Sequence, residues 1–215
     1  MTNRSIVFEG IDGSGKSTQA NLLAQNLSKL GHNVIQTREP GSPLMSLQVR
    51  DLLLDKDNPI CQRARELLFE ADRAEHTTKI KELLEQGNWV ISDRSFISGL
   101  TYSFCGDIPI EETWGLMQFA IQCWPSIVFY VDLDAKTAAS RRNARNEKTT
   151  YEEAKGIEFM ERVRQEMTKI LNYLDGSIPC TLPNFPRIPV VYLDGHMPIE
   201  ILETNVISEL QLLNR

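Results

Sequence analysis

The stretch Gly10-Ile11-Asp12-Gly13-Ser14-Gly15-Lys16-Ser17 constrains this chain more than any other. It fits G-x-x-x-x-G-K-[ST] without a mismatch. A β-branched and aromatic run, Ser5 to Glu9, precedes it. Apolar residues at helical spacing follow it, at Ala20, Leu22, Leu23, Ala24, Leu27 and Leu30, with Gly31 where a helix C-cap belongs. Glycines let backbone N–H groups curl around phosphate oxygens, and the next helix adds partial positive charge at its N-terminus. Residues Gly10 through Thr18 are therefore the expected ATP-binding segment. Lys16 is placed to reach the β- and γ-phosphates, and the Ser17 hydroxyl to ligate Mg²⁺.

Short apolar strands recur at 34–35, 89–92, 127–131 and 190–194, with helical runs at about 44–54, 63–86, 110–123 and 198–212 between and after them. Such alternation implies βαβ units. The expected fold is α/β, a P-loop NTPase with a parallel five-stranded sheet flanked by helices. At 215 residues the chain suits one domain, 1–215. Four prolines between Gly176 and Pro189 exclude a helix there and predict a surface loop.

Hydrophobic residues make up 41% of the chain, enough for a sizeable core and too many for a disordered tail. With 23 basic and 29 acidic residues the net charge is −6, and no basic stretch suggests a nucleic-acid polymer as partner. No apolar run approaches the roughly 20 residues of a membrane span. The N-terminal residues lack the apolar stretch of a signal peptide, which makes the cytoplasm the expected location. Cys61, Cys105, Cys123 and Cys180 form neither a C-x-x-C pair nor zinc spacing, so reduced thiols are expected, with Cys105 and Cys123 as core residues. His32, His76 and His196 are isolated and read as ordinary surface or core histidines.

No N-K-x-D or L-S-G-G-Q run is present, which leaves a small kinase needing a second site for a phosphate acceptor. Ligands of doubly wound folds bind at the C-terminal edge of the sheet. Arg38-Glu39 and Asp93-Arg94 each follow a strand and belong at that edge. Arg50 and Arg73 lie on adjoining helices, and Phe69 precedes Arg73 by one turn on the same face. An aromatic face beside guanidinium groups suits a nucleoside monophosphate, offering stacking to the base and forked donors to the phosphate.

The segments FEGIDGSGKSTQ (8–19), TREPG (37–41), VRDLLL (49–54), LLFEADR (67–73), WVISDR (89–94) and ERVR (161–164) together resemble the bacterial thymidylate kinase family, whose enzymes phosphorylate dTMP to dTDP. The resemblance runs from Ile6 to about Val206. It implies transfer of the ATP γ-phosphoryl to dTMP with Mg²⁺, a homodimer, and a mobile lid at about 141–155. It places Asp12 toward the acceptor sugar, Phe69 on the pyrimidine, and Arg50, Arg73 and Arg94 on the acceptor phosphate or base. Ser98, Tyr102 and Ser103 join the dTMP site, and Asp93 and Glu39 lie near the metal and its waters, Glu39 also bordering dTMP.

Family members carry a catalytic arginine in the phosphate loop or in the lid. This loop has none, so the lid run 141–148 must supply it, and Arg142 and Arg145 are the candidates beside Lys16 and Arg94. Several positions depart from the family pattern. Thr150-Tyr151-Glu152-Glu153 stands where many lids read D-R-x-E, and Ser95 stands where the family's tyrosine follows D-R. Tyr102-Ser103-Phe104 replaces Y-Q-G, so Ser103 takes the place of a base-contacting glutamine and reopens a dUMP-type acceptor. A P-loop binding protein without transferase activity is the alternative of another class. Ile110, Thr113, Trp114, Met117, Ala120, Ile121 and Trp124 form an apolar stripe that either meets a second subunit or fills the chain's own core.

Overall fold

The computed structural model describes residues 4–41, 47–57 and 60–213. Five strands, β1 (Ser5–Glu9), β2 (Val34–Arg38), β3 (Trp89–Asp93), β4 (Ile127–Asp132) and β5 (Val190–Asp194), form one sheet in the order β2-β3-β1-β4-β5. Every pairing is parallel, with Phe8 opposite Asp93 on one side and Phe129 on the other. Parallel strands need helical crossovers, so both faces of the sheet are covered. The α-helices among the described residues are α1 (Lys16–Lys29), α2 (Leu47–Leu54), α3 (Gln62–Glu85), α4 (Phe96–Cys105), α5 (Ile110–Ala120), α6 (Ala135–Ala144), α7 (Ile157–Asp175) and α8 (Ile199–Leu213). The start of the expected 44–54 helix lies outside the described residues.

Alternation along the central strands divides the core in two. Ile6, Phe8, Ile127, Phe129 and Val131 face α1 and α8, meeting Leu23, Leu27, Leu202 and Val206. Val7, Val128 and Tyr130 face the other way, toward Phe96, Leu100, Trp114, Met117, Val163 and Met167 on α4, α5 and α7. Burial on both sides is why the strands read as continuous apolar runs. The chain order reverses at β1, opening the crevice at the C-terminal edge where α/β folds bind ligands.

The structure corrects or completes the sequence reading at α4, at α5 and in the 176–189 segment. Residues 96–105, assigned no element from sequence, form α4, capped by Ser95, whose Oγ accepts from the Ile97 amide. The apolar stripe of α5 packs into the chain's own core, with Thr113, Trp114, Met117 and Ala120 buried and Ile110, Ile121 and Trp124 partly buried against them. The helix also stops at Ala120, three residues early. The 176–189 segment is free of helix as expected, yet it is no mere surface loop. Leu182 and Ile188 are buried, Phe185 packs 4.9 Å from Trp114, and the Pro183 carbonyl accepts from Trp114 Nε1 at 2.8 Å. All four cysteines are free, Cys105 buried and Cys123 only half-buried, its thiol donating to the Thr77 carbonyl.

Candidate active site

The Gly10–Ser17 loop leaves the end of β1 and enters α1 at Lys16, as its sequence requires. Gly10 has φ 144°, and a Cβ there would lie 2.6 Å from the Val131 carbonyl, so only glycine lets the loop pass this close to β4. Lys16, nearly buried, reaches Asp12 Oδ1 at 2.8 Å and Asp93 Oδ1 at 3.9 Å. The Ser17 hydroxyl donates to Asp93 Oδ2, and Asp93 Oδ1 is a buried oxygen without a hydrogen bond among the described residues. One hydroxyl beside one carboxylate with an unused oxygen fits Mg²⁺, which takes few protein oxygens and completes its shell with phosphates and waters. The structure does not bring Glu39 to this pair. Both Glu39 oxygens are engaged elsewhere, by Arg73 and His76.

Arg94 follows β3 with φ 77°, a left-handed conformation uncommon outside glycine. Its amide donates to the Phe8 carbonyl at 2.9 Å, and its guanidinium spans Ser98 Oγ and Asp12 Oδ1, each at 2.7 Å. Lys16 and Arg94 therefore meet on one carboxylate oxygen. Burial alone would raise the Asp12 carboxyl, but Arg94 and Lys16 outweigh it and hold the group well below the ordinary carboxylate range. Tyr102 lies beside the Arg94 guanidinium, 5.5 Å from it, and burial pushes its hydroxyl upward.

Glu9 is a residue the sequence reading missed. It is fully buried at the end of β1, and accepts from the Ser95 amide (2.8 Å) and hydroxyl (2.9 Å) and from the Ser98 amide (3.2 Å) and hydroxyl (2.6 Å). Burial raises its carboxyl, and Arg94 is the strongest opposing influence. Ser98 thus links Glu9 to Arg94 and fixes the start of α4. Glu9→Gln turns an amide donor toward these N–H and O–H groups. It should cost about 1–3 kcal/mol of stability and lower turnover, read by denaturant midpoint and initial rate.

Beside the loop lies a cavity whose walls include Asp12, Phe69, Arg73, Arg94, Tyr102 and Ser103. Glu39, Ser98, Gln62, Glu66, Thr150 and Glu152 also border it. Arg73 is buried between Glu39, 3.1 Å away, and Glu70. Burial would lower its pKa, but these carboxylates raise it. Gly99 leaves room for Arg73 to press against α4, where a Cβ would collide with its guanidinium. His76 bridges Thr37 Oγ1 (2.7 Å) and Glu39 Oε1 (3.0 Å), the ordinary core role expected of it. Arg50 donates to the Pro40 carbonyl at 2.7 Å, just after the cis Glu39–Pro40 peptide. Burial and then Arg38 pull its pKa down.

The lid run lies against this cavity. The Tyr151 amide donates to the Leu54 carbonyl at 3.1 Å, and the Tyr151 ring stacks under Arg65 at 3.7 Å. Arg142 pairs with Glu153 (2.5 Å) and Glu147 (3.4 Å), and Arg145 with Glu147 (2.9 Å), and among the described residues neither candidate arginine hydrogen-bonds the phosphate loop. Arg141 does, through the Ser14 carbonyl at 3.5 Å.

A family model described as thymidylate kinase matches residues 8–181. A probable thymidylate kinase of Thermococcus gammatolerans is 40% identical over 173 residues, covering 77% of this chain and 81% of that protein. The thymidylate kinase of Thermosipho africanus is 39% identical over 174 residues, covering 80% of this chain and 86% of that protein. That of Halothermothrix orenii is 40% identical over 172 residues, with 77% and 82% covered.

Proposed function

Because the chain belongs to the thymidylate kinase family, we infer that it transfers the γ-phosphoryl group of ATP to the 5′-phosphate of dTMP, giving dTDP and ADP. The observation that carries this reading is the meeting of Lys16 and Arg94 on Asp12 Oδ1. The lysine that serves the donor phosphates and the arginine that lines the acceptor cavity converge on one point, so the two phosphates are brought face to face. An ionised phosphate monoester oxygen is already a nucleophile, and no strong general base is required. Catalysis then consists of holding the attacking and leaving oxygens in line and neutralising charge on the transferred group.

Lys16 and Arg94 supply fixed positive charge on either side of that group. The chemistry Mg²⁺ supplies at Ser17 and Asp93 is further neutralisation of the donor phosphates. Phe69 offers a stacking face to the base, and Asp12, Arg50, Arg73, Ser98, Tyr102 and Ser103 complete the acceptor site in this reading. Gly10 to Thr18 cradle ATP. The lid at 141–155 closes over both substrates to exclude water, which otherwise competes as acceptor. Its catalytic cation comes from the 141–145 run, and Arg142 or Arg145 serves only after releasing Glu147 or Glu153.

No helix among the described residues is long and apolar enough to cross a membrane. For the homodimer, the surface proposed is the one on α5 that carries the exposed Leu116 and Phe119. A monomer mass at every concentration in sedimentation equilibrium removes this part of the reading. The activity itself is tested by initial rates of diphosphate formation with Mg-ATP on dTMP, dUMP, UMP, CMP, dCMP and thymidine. A large advantage for dTMP supports the assignment. Comparable rates on dUMP point to a looser pyrimidine monophosphate kinase, and ATP binding with no transfer to any acceptor overturns the catalytic reading.

A further inference from the structure

Glu66 is only 4% exposed, yet it borders the acceptor cavity alongside Phe69, Arg73 and Ser103. Its two oxygens are not equivalent. Oε2 accepts from the Ser103 hydroxyl, whereas Oε1 is buried without a hydrogen-bond partner among the described residues. A buried carboxylate oxygen left unmatched is unfavourable, and in a cavity wall it is an acceptor waiting for a donor. Two turns further along α3, Arg73, anchored through Nε to Glu39 and through Nη1 to Glu70, contributes a fixed cation.

We propose that Glu66 is a specificity-determining residue that reads the acceptor base, its free oxygen accepting the N3–H of an imide base while Ser103 holds the carboxyl in place. The proposal rests on the assignment of a pyrimidine monophosphate as acceptor. Thymine and uracil present an N–H donor at position 3 and a carbonyl at position 4, matching a carboxylate and an arginine respectively. Cytosine inverts both, setting the N3 lone pair against the carboxylate and an amino group against the guanidinium. Ser103 itself is too short to present an amide's paired donor and acceptor, but it needs only to orient the group that does the reading. Burial lifts the Glu66 carboxyl up to about 7, the Ser103 hydrogen bond works against that rise, and Glu70 adds to it. A carboxyl so poised is drawn into its ionised, accepting form by an incoming N–H.

Titration calorimetry with dTMP, N3-methyl-dTMP and dCMP tests this on the wild type and on Glu66→Leu and Glu66→Gln, with ADP binding as the check on folding. The wild type should bind dTMP at least about tenfold more tightly than either analogue, the scale of a hydrogen bond to a charged group. Glu66→Leu should bring the dTMP-to-dCMP ratio close to one. Glu66→Gln should recover dTMP binding but narrow that ratio, since an amide can flip to offer cytosine a donor. A Glu66→Leu protein that binds ADP normally and keeps the wild-type ratio overturns the proposal. Should that variant fail to bind ADP, an unchanged ratio in Glu66→Gln overturns it instead. Wild-type protein that binds ADP but none of the three monophosphates refutes the acceptor assignment itself, and the proposal with it.

Discussion

Lys16→Ala should abolish measurable turnover while leaving the protein folded, a loss of about three orders of magnitude or more in kcat/KM. Removing one donor from a preorganised oxyanion site costs about 10²–10³ in rate, and Lys16 brings a full charge rather than a dipole. The fold should survive because Asp12 keeps its 2.7 Å contact with Arg94, and Asp93 keeps the hydrogen bond from the Ser17 hydroxyl. Lys16→Arg should not rescue activity, since a planar fork cannot occupy the compact space between Asp12 and Asp93. Steady-state kinetics with a thermal melt on each variant checks both halves of this expectation. Turnover within a few-fold of wild type would remove the lysine from the mechanism.

The second large effect is on the acceptor side. Arg94→Ala should lower kcat/KM for dTMP by about 10²–10³ or more, with KM for dTMP rising and ADP affinity little changed. The asymmetry follows from placement. Arg94 lines the cavity proposed for the acceptor, held by Ser98 and by its own left-handed backbone, whereas the ADP phosphates are proposed to bind the loop before α1. Lys16 still pairs with Asp12 in this variant, so global stability should change little. Arg94→Lys should recover only part of the loss, because an ammonium cannot span Ser98 and Asp12 together. Near-normal rates in Arg94→Ala, or an equal loss of ADP binding, would contradict this division of labour.

The five strands and the phosphate loop were legible in sequence because their signals are local. Strands such as Ile127–Asp132 are buried on both faces and show as unbroken apolar runs, and the glycines of 10–15 meet a need within the loop itself. α4 escaped because Gly99, Ser98 and Ser103 dilute its apolar pattern, and because Gly99 serves Arg73 from another helix rather than its own. The 176–189 segment looked like surface because prolines exclude a helix without excluding burial. Its Leu182, Phe185 and Ile188 fill the space beside Trp114. For the stripe of α5, periodicity shows that a face is buried, not what buries it.

The lid arginines illustrate the same limit. Arg141 and Arg142 are neighbours in sequence, yet on a helix they point about 100° apart. Only the first meets the phosphate loop, while the second turns to Glu153. Glu9 and Glu66 were invisible for a related reason. A lone acid closing an apolar strand, or sitting inside a helix, gains meaning only from Ser95, Ser98 and Ser103, which arrive from elsewhere in the chain.

The account depends on direct transfer between two phosphates held by Lys16 and Arg94. Single-turnover reaction of the wild type with γ-³²P-labelled Mg-ATP and dTMP tests that most directly. The label should appear in dTDP at the rate ATP is consumed, with no matching release of inorganic phosphate. Label released as inorganic phosphate, or ATP left intact in the presence of bound dTMP, would contradict it.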